Sequence, residues 1–370
     1  MKTSHKIYFE NSKNMDKIPP GSIDLVVTSP PYPMIEMWDD LFASQNPSIE
    51  FALANGNGSE AYDLMHKELN PVWKEIHRVL KNGSIACINV GDATRKIGKD
   101  FQLFPNHSRI LEFLTKLGFQ VLPGVLWRKP TNAPNKFMGS GMLPPSAYVT
   151  LEHEHIICFR KGGKREFISE KEKERRRESA FFWEERNRWF SDLWANLRGA
   201  NQKLSRNASS LRNRSGAFPL NLALRLIVMF SIQGDVVLDP FLGTGTTMMA
   251  AMIGGRSSVG YELDSKFKEL IISKMGEIPK LSRMYVQSRL ENHLNFVENK
   301  IGENSPLKYV NKFYNIPVYT KQEKNLWIPY VKSITQIDNS TFSARHSDKS
   351  AERKISIVKE ARKGLDSFME

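Results

Sequence analysis

The stretch VVLDPFLGTGTT at Val236–Thr247 decides the fold of this 370-residue chain. It begins with an apolar run that ends at Asp239, which is typical of a buried strand. Gly243 and Gly245 follow in a short loop, and a helix is predicted to begin near Thr246. Glycines let the backbone approach a ligand closely, and the first turn of a helix offers free N–H groups. The stretch therefore predicts a strand, a ligand-binding loop and a helix in succession.

A second acidic residue indicates which class of ligand the glycine loop binds. The next predicted strand, SSVGYELD, contains Glu262, which lies seventeen residues after Gly245. In dinucleotide-binding folds, an acidic residue at about this distance binds the ribose hydroxyls. The third glycine of the dinucleotide fingerprint is absent, because Met248 follows Thr247. We therefore expect a nucleoside ligand without a pyrophosphate, rather than a nicotinamide or flavin dinucleotide.

Short apolar runs alternate with amphipathic stretches along most of the chain. The predicted strands are Ile23–Thr28, Ser84–Val90, Phe119–Trp127, His155–Phe159, Val236–Asp239 and Ser258–Glu262. The predicted helices are Glu60–Leu80, His107–Leu117, Leu220–Ile232 and Thr246–Ile253. Strands that alternate with helices in this way indicate an α/β protein, with a mainly parallel sheet covered by helices on both faces.

Composition excludes several classes of protein. Hydrophobic residues make up 40% and charged residues 25%, as in a globular chain. The two cysteines, Cys87 and Cys158, both lie in apolar runs, which argues against a disulfide scaffold or a metal site and suits the cytoplasm. We expect no membrane span, because no apolar run approaches the ~18 residues that one needs. The net charge of +13 points first to nucleic acid as a partner.

The sharpest chemical signal is IDLVVTSPPYP at Ile23–Pro33. A buried strand runs directly into Ser29-Pro30-Pro31-Tyr32, where the two prolines fix φ and remove two N–H donors. The result is a rigid corner at the carboxyl end of a strand, which is where open α/β sheets bind ligands. The corner presents a serine hydroxyl, a proline carbonyl and a tyrosine ring. Two acceptors and an aromatic ring suit an exocyclic amine on a planar base.

These two motifs resemble those of the S-adenosylmethionine-dependent DNA amino-methyltransferases. Ser29-Pro30-Pro31-Tyr32 resembles the catalytic motif of that family, and DPFLGTGTT resembles its cofactor loop. The catalytic motif comes first in this chain, as in the permuted β class of these enzymes. The resemblance covers about residues 5–275. It implies a Rossmann-like methyltransferase fold with a circularly permuted motif order and an inserted target-recognition region.

The resemblance also implies the residues that bind the cofactor. RSGAFPLNLALRL resembles the Phe-Pro motif that borders the methionine end of the cofactor. The family usually carries G-D-S before its first helix, and the Asp of that triplet contacts the adenine. In this chain the matching triplet is Glu10-Asn11-Ser12. The Asn11 amide can still form hydrogen bonds, but it lacks the negative charge of Asp. The expected cofactor-binding residues are Asn11, Phe218, Pro219, Asp239, Phe241, Gly243, Gly245, Thr246 and Glu262.

The resemblance divides the chain into four regions. Residues 1–160 are the expected catalytic half, 161–213 the target-recognition insertion, 214–278 the cofactor-binding half, and 279–370 an extension of unknown role. Residues 161–214 hold 15 Lys and Arg against 8 Asp and Glu, which favours contact with phosphates. Within this segment we expect Arg175, Arg176 and Arg177 to bind DNA. The alternative is a solvated helix face, since KEKERRRES mixes charges at helical spacing.

The expected chemistry starts from an aromatic amine, whose lone pair is delocalised into the ring. Hydrogen bonds to the Ser29 hydroxyl and the Pro30 carbonyl would localise that lone pair and aim it at the methyl group, so catalysis rests on positioning and electrostatics. The base must leave the duplex to reach this corner. Tyr32 is the expected stacking partner of the flipped base, and Trp38 is a second candidate. No metal ion and no cysteine nucleophile are expected.

The resemblance implies a prokaryotic enzyme that methylates double-stranded DNA at a specific site and protects it from a cognate restriction endonuclease. Ser29 favours the N4 amine of cytosine, because the adenine-N6 branch of the family more often carries Asp at this position. Adenine N6 stays open as an alternative target, and an RNA methyltransferase is a less favoured one.

Overall fold

Sixteen strands and ten α-helices are present in the computed structural model, which describes residues 1–129, 138–199, 218–305 and 307–349. The strands are β1 (Lys2–Tyr8), β2 (Ile23–Thr28), β3 (Leu80–Val90), β4 (Ala93–Ile97), β5 (Asp100–Phe104), β6 (Phe119–Arg128), β7 (Met138–Gly139), β8 (Ala147–Tyr148), β9 (His153–Lys161), β10 (Leu193–Trp194), β11 (Val236–Asp239), β12 (Ser257–Tyr261), β13 (Tyr309–Val310), β14 (Pro317–Val318), β15 (Val331–Asp338) and β16 (Thr341–His346). The helices are α1 (Asp39–Gln45), α2 (Pro47–Ala54), α3 (Gly58–Val79), α4 (Asn106–Lys116), α5 (Glu170–Glu178), α6 (Trp183–Trp189), α7 (Leu220–Phe230), α8 (Thr246–Gly254), α9 (Phe267–Lys274) and α10 (Ile278–Gly302).

The main sheet has ten strands in the order β10-β6-β9-β3-β2-β11-β12-β1-β16-β15. The five central strands, from β3 to β1, pair in parallel, whereas β9 is antiparallel to both of its neighbours. The predicted α/β class and the Rossmann-like methyltransferase fold are confirmed. The permuted motif order is explained by the strand order, because β2 and β11 are far apart in sequence but adjacent in the sheet.

Helices cover both faces of the central strands, so all six residues of β2 are buried. On one face, Val26 packs in an apolar cluster with side chains of α3 and α4. On the other face, Leu25 and Val27 pack with α7, α8 and α9. A strand buried on both faces has no polar alternation, and this is why the run IDLVVT was recognisable in the sequence.

The predicted elements are present, with differences at their ends. The largest difference is in β3, which begins at Leu80 rather than Ser84. Gly83 lies inside this strand with φ +84°, and the register of β3 against β2 shifts across it. A side chain here would also lie 2.6 Å from the backbone of Arg165. Only glycine tolerates this backbone conformation and this close contact. Because glycine usually marks a turn, the sequence predicted that the strand begins after Gly83, whereas the strand continues through it.

Strand β1 was missed because its inward face is polar. Thr3 and His5 are buried and bonded to each other at 2.8 Å. The other nitrogen of His5 contacts the Ser258 hydroxyl at 2.8 Å, and Thr3 also contacts His346 at 2.9 Å. Burial lowers the pKa of His5 to about 3, so its ring is neutral in this network. Hydrogen bonds between side chains replace the apolar pattern by which a strand is usually recognised.

The C-terminal region completes the sheet and packs on the insertion. Strands β15 and β16 extend the sheet beyond β1. Phe182, Leu290 and Trp327 belong to one apolar cluster that joins the basic segment, α10 and the chain after it. Glu185 of α6 and Arg289 of α10 form a buried ion pair with two contacts of 2.6 Å. The four region boundaries given above stay a prediction. Residues 200–217, which include part of the predicted insertion and of the Phe-Pro motif, lie outside the described residues, as do 350–370.

No helix among residues 1–129, 138–199, 218–305 and 307–349 is both long and apolar enough to cross a membrane.

Candidate active site

The carboxylate of Asp239 joins the two predicted motifs. It is buried at the end of β11 and accepts hydrogen bonds from the hydroxyls of Thr28 and Thr247, each at 2.6 Å. It also accepts the backbone N–H of Phe241 at 3.0 Å. Thr28 is the last residue of β2, directly before Ser29, and Thr247 lies in the first turn of α8. One side chain therefore fixes the catalytic strand, the glycine loop and the following helix to one another.

Burial raises the pKa of Asp239 to about 6, although three hydrogen bonds oppose this shift. The carboxylate thus carries a desolvation cost at neutral pH that the surrounding donors only partly offset. The charge is retained because each neighbouring donor needs an acceptor, and a carboxylate can serve all three.

The glycine loop is held open by a second carboxylate. Gly243 and Gly245 have φ of +52° and +82°, a region that favours glycine. The Gly243 N–H donates to Glu262 Oε2 at 2.7 Å, and the Asp264 N–H donates to Oε1 at 2.9 Å. Lys274 donates to the Thr244 carbonyl at 3.0 Å and fixes the far side of the loop. Burial raises the pKa of Glu262 above its ordinary value.

This loop fits a nucleoside cofactor. A side chain added at Gly243 would meet open space, with the nearest neighbouring atom 4.0 Å away. Thr246 begins α8 beside this space, and Glu262 is half-buried at the end of the neighbouring strand. An open glycine loop at the start of a helix, with a carboxylate at the end of the neighbouring strand, suits ribose hydroxyls and the polar end of a cofactor.

The remaining predicted cofactor residues lie at the same edge of the sheet. Phe218 is buried and Pro219 caps the start of α7, which precedes β11. Phe241 packs edge-to-face on Trp73 with ring centres 6.0 Å apart. Asn11 is exposed in the loop after β1, where its side chain accepts the N–H of Lys13. Their contacts with a cofactor stay predictions.

The Ser29-Pro30-Pro31-Tyr32 corner is fixed by hydrogen bonds from its tyrosine. Both prolines are buried, whereas Ser29 and Tyr32 are half-buried. The hydroxyls of Ser29 and Tyr32 lie 2.9 Å apart. Tyr32 donates to Glu154 at 3.0 Å and accepts from Asn89 at 2.9 Å. Burial, followed by the charge of Glu154, raises the pKa of Tyr32 well above its ordinary value, so the phenol stays protonated.

Two aromatic side chains, Tyr32 and Trp38, belong to the corner and to the segment that follows it. The ring of Tyr32 lies against Gly91, where a side chain would come within 3.1 Å of the ring. Trp38 follows in the next turn and is half-buried in the same apolar cluster. Asp39, the residue after Trp38, anchors this segment through an ion pair with Arg95, whose two contacts are 2.8 and 2.6 Å long.

Sequence reasoning missed several polar side chains around the corner. They are Asn89, Asp92, His107, Glu154 and His155. Asp92 bonds His107 at 2.7 Å, and the rings of His107 and His155 stack with centres 3.8 Å apart. Burial, followed by the charge of His107, lowers the pKa of His155 to about 4. These residues could have been found from one sequence pattern, a polar residue at the end of an otherwise apolar strand. SIACINVGD and HEHIICF both show this pattern.

The arginine run is not brought to the catalytic corner. Helix α5 packs near the turn before β11, at the amino ends of the parallel strands, where Arg175 approaches Gly234. Ser179 accepts the N–H of Gln233 in the same turn at 2.8 Å. Arg176 is exposed and lies over the ring of Phe167, and Arg177 is also exposed. Their contact with DNA stays a prediction, and it would lie at the sheet edge opposite Ser29.

Comparison with known proteins identifies the family. Residues 23–275 match the N6_N4_Mtase family, described as DNA methylase. The chain is 54% identical over 343 residues to the type II methyltransferase M.MthZI of Methanothermobacter thermautotrophicus, a match that covers 92% of this chain and 95% of that protein. The chain belongs to this family of S-adenosylmethionine-dependent DNA methyltransferases.

Two further relatives agree with this assignment. The type II methyltransferase M.MjaI of Methanocaldococcus jannaschii is 51% identical over 286 residues, or 74% of this chain and 92% of that protein. The Thermus thermophilus protein TTHA0409, in a crystal structure complexed with S-adenosyl-L-methionine, matches with a TM-score of 0.56 and 29% identity. That match covers 75% of this methyltransferase and 93% of TTHA0409.

Replacing Gly243 by valine should abolish S-adenosylmethionine binding in a folded protein. The side chain would fill the open space of the loop, and we expect a loss of affinity of at least about 100-fold, or about 2.7 kcal/mol. Isothermal titration measures it. Gly21→Val is the matched control, since Gly21 also has positive φ (+60°) and open surroundings, but lies in the turn before β2. Equal affinities for both variants would place the cofactor elsewhere.

Asp239 should make stability depend on pH in a defined direction. Its pKa is about 6 in the folded chain and 3.8 ordinarily, so its stabilising contribution is present below about pH 4 and is lost as pH rises through 6. The advantage of the wild type over Asp239→Asn in unfolding free energy should therefore shrink by up to about 3 kcal/mol between pH 4 and pH 7. Urea unfolding at several pH values measures this difference, and a constant difference would contradict the raised pKa.

Proposed function

We propose that this DNA methyltransferase transfers the methyl group of S-adenosylmethionine to the exocyclic N4 amine of a cytosine flipped out of double-stranded DNA. The observation that carries the proposal is the 2.6 Å bond between Thr28 and Asp239. It joins the strand that ends in the Ser29 hydroxyl to the strand that ends in the glycine loop. An amine acceptor and a cofactor loop on adjacent strands supply the two halves of a methyl transfer.

Activation of the amine follows from the two acceptors of the corner. In this proposal the amine donates one hydrogen to Ser29 Oγ and the other to the Pro30 carbonyl. Both bonds draw the nitrogen toward a tetrahedral geometry, which localises its lone pair. When bound, S-adenosylmethionine supplies an electrophilic methyl group; Gly243, Thr246 and Glu262 are the proposed residues that hold it. The chain contributes orientation and fixed dipoles, which cost no reorganisation during the reaction.

A base that flips out of the duplex loses its stacking neighbours, and an aromatic ring of the enzyme can replace them. Unstacking costs a few kcal/mol, and stacking on an aromatic ring returns about 1–3 kcal/mol. Tyr32 is the proposed stacking partner, because its hydroxyl is anchored at three points and its ring is pre-oriented. Trp38 lies nearby and is the second candidate. Ordering these rings before the base arrives reduces the entropic cost of binding.

Serine at position 29 supports cytosine as the target. A neutral hydroxyl is a weaker acceptor than the Asp more common in adenine-N6 enzymes, and the family carries Ser more often with pyrimidine amines. A single tyrosine ring is large enough to cover one pyrimidine. Adenine N6 is the alternative outcome of the product analysis described below, and an RNA product is the less favoured one.

Exposed positive side chains lie at the same edge of the sheet as the catalytic corner. Lys96 and Lys99 are exposed on the β4–β5 hairpin that follows the carboxyl end of β3, and Arg128 is exposed at the end of β6. We propose that they contact phosphates of the duplex. M.MthZI and M.MjaI are both named type II methyltransferases, which supports a site-specific modifying enzyme that protects DNA from a cognate restriction endonuclease.

Product analysis tests the target atom. DNA methylated by the purified enzyme, digested to nucleosides and analysed by mass spectrometry, should contain N4-methylcytosine. Ser29→Ala should lower the rate of methyl transfer by about 100-fold while S-adenosylmethionine affinity stays unchanged, since only the amine contact is lost. Ser22→Ala, which removes a hydroxyl before β2, is the control and should retain the wild-type rate. N6-methyladenine or a methylated RNA as the sole product would refute the cytosine-N4 proposal.

The salt dependence of DNA binding tests the proposed surface. Lys96→Gln with Lys99→Gln should reduce the slope of log affinity against log salt concentration by about 1.8, or about 0.9 for each phosphate contact. Arg176→Gln with Arg177→Gln removes the same charge at the opposite edge of the sheet; if only the lysine surface contacts DNA, this variant leaves the slope unchanged. The reverse result would favour the sequence-based prediction that the arginine run binds DNA.

A further inference from the structure

Four side chains form a continuous hydrogen-bond chain behind the catalytic corner. It runs from Ser29 to Tyr32 at 2.9 Å and from Tyr32 to Glu154 at 3.0 Å. Asn89 braces the chain from the end of β3, because its amide nitrogen donates to Tyr32 at 2.9 Å and to Glu154 at 2.6 Å. Asn89 is buried, Glu154 is half-buried, and Lys129 forms an ion pair with the carboxylate.

The donors and acceptors of this chain can be assigned uniquely. A carboxylate only accepts, so the Tyr32 hydroxyl must donate its single hydrogen to Glu154. The Asn89 nitrogen must face the carboxylate, since the amide oxygen at that distance would be repelled. The Tyr32 oxygen therefore accepts from Asn89 and has one remaining lone pair. Its third neighbour, Ser29, can only donate to it.

The direction of the Ser29 hydroxyl follows from this assignment. Its hydrogen points toward Tyr32 and away from the target, so both lone pairs of the oxygen are free. An amine that approaches Ser29 consequently meets an acceptor and no competing donor. A serine without this restraint could equally well donate to the lone pair of the amine, and that would block the attack.

We propose that Glu154, acting through Tyr32, fixes Ser29 as the acceptor of the target amine and takes up the proton that the amine loses. Glu154 is thus a positioning residue, and Asn89 holds it in place. The inference rests on the proposed function, since it requires the amine to bind at Ser29. It goes beyond that function by assigning roles to Asn89 and Glu154.

The hydrogen-bonded side chains account for the proton that is released in the methyl transfer. As the amine nitrogen bonds to the methyl carbon, the carbon–sulfur bond breaks and its electron pair goes to sulfur. The nitrogen then carries a positive charge and an excess proton. That proton passes to Ser29 Oγ, the Ser29 proton passes to Tyr32, and the Tyr32 proton passes to Glu154. The product amine ends neutral and Glu154 ends protonated; the side chain is 14% exposed and can return the proton to water.

Steady-state and single-turnover kinetics of Glu154→Gln and Tyr32→Phe, alone and combined, test this inference. Each single variant should lower the rate of methyl transfer by about 100-fold, the usual scale of general acid–base effects. The KM values for DNA and for S-adenosylmethionine should change less than about threefold, because binding groups are intact. Tyr32 and Glu154 act in the same series of hydrogen bonds, so their effects should not multiply. The double variant should therefore be no more than about threefold slower than Tyr32→Phe alone.

Glu152→Gln is the matched control, since Glu152 lies two residues away in an exposed ion pair with Arg128. It should keep the wild-type rate. Glu154→Asp, which retains a carboxylate, should recover part of the rate lost in Glu154→Gln. A Glu154→Gln rate within threefold of the wild type, or multiplicative losses in the double variant, would overturn the inference. If Ser29→Ala is also fully active, the proposed function fails as well; if Ser29→Ala is slow, only the role of Glu154 is refuted.

Discussion

The rest of the site depends on the hydrogen bonds that the Asp239 carboxylate accepts. Two threonine hydroxyls and one backbone N–H converge on it from three different elements. The side chain is buried, so loss of the carboxylate would deprive the Thr28 hydroxyl and the Phe241 N–H of this acceptor, at about 1–3 kcal/mol for each group. Thr247 also donates to the Val27 carbonyl at 3.3 Å. The raised pKa of Asp239 is the cost of this arrangement. The gain is geometric, because the reacting corner and the cofactor loop cannot shift independently.

A second polar network sets the chemistry of the corner itself. Proline residues fix the backbone after Ser29, but they do not decide which way its hydroxyl points. That direction is set from behind by Tyr32, Asn89 and Glu154, which come from three separate parts of the chain. Each side chain of this network orients the next, so the loss of one member also leaves its neighbours without that partner. The backbone motif and the network therefore act as one unit.

The opposite edge of the sheet serves assembly of the fold. Arg165 bridges Asp235 and Asp24, with contacts of 2.6 and 3.6 Å, and so joins the starts of β11 and β2. The basic segment that contains this arginine packs on α10 and on the chain after it, through Phe182 and the Glu185–Arg289 pair. A buried pair of this kind is costly to break from one side. Much of the positive charge of the segment that the structure describes is thus placed away from the catalytic corner.

The sequence by itself determined the parts of this protein that depend on local pattern. Apolar runs, glycines and prolines identified the central strands, the glycine loop and the catalytic corner, because backbone geometry constrains residue type directly there. Strand β1, Asn89 and Glu154 escaped notice, since key hydrogen bonds of their side chains are made to residues far away in the sequence. The tertiary structure alone decided which distant residues share a surface, as when the packing of α5 against Gly234 places Arg175–Arg177 opposite Ser29. Local pattern encodes backbone conformation, whereas long-range hydrogen bonds depend on strand order and register, which no short segment of this chain contains.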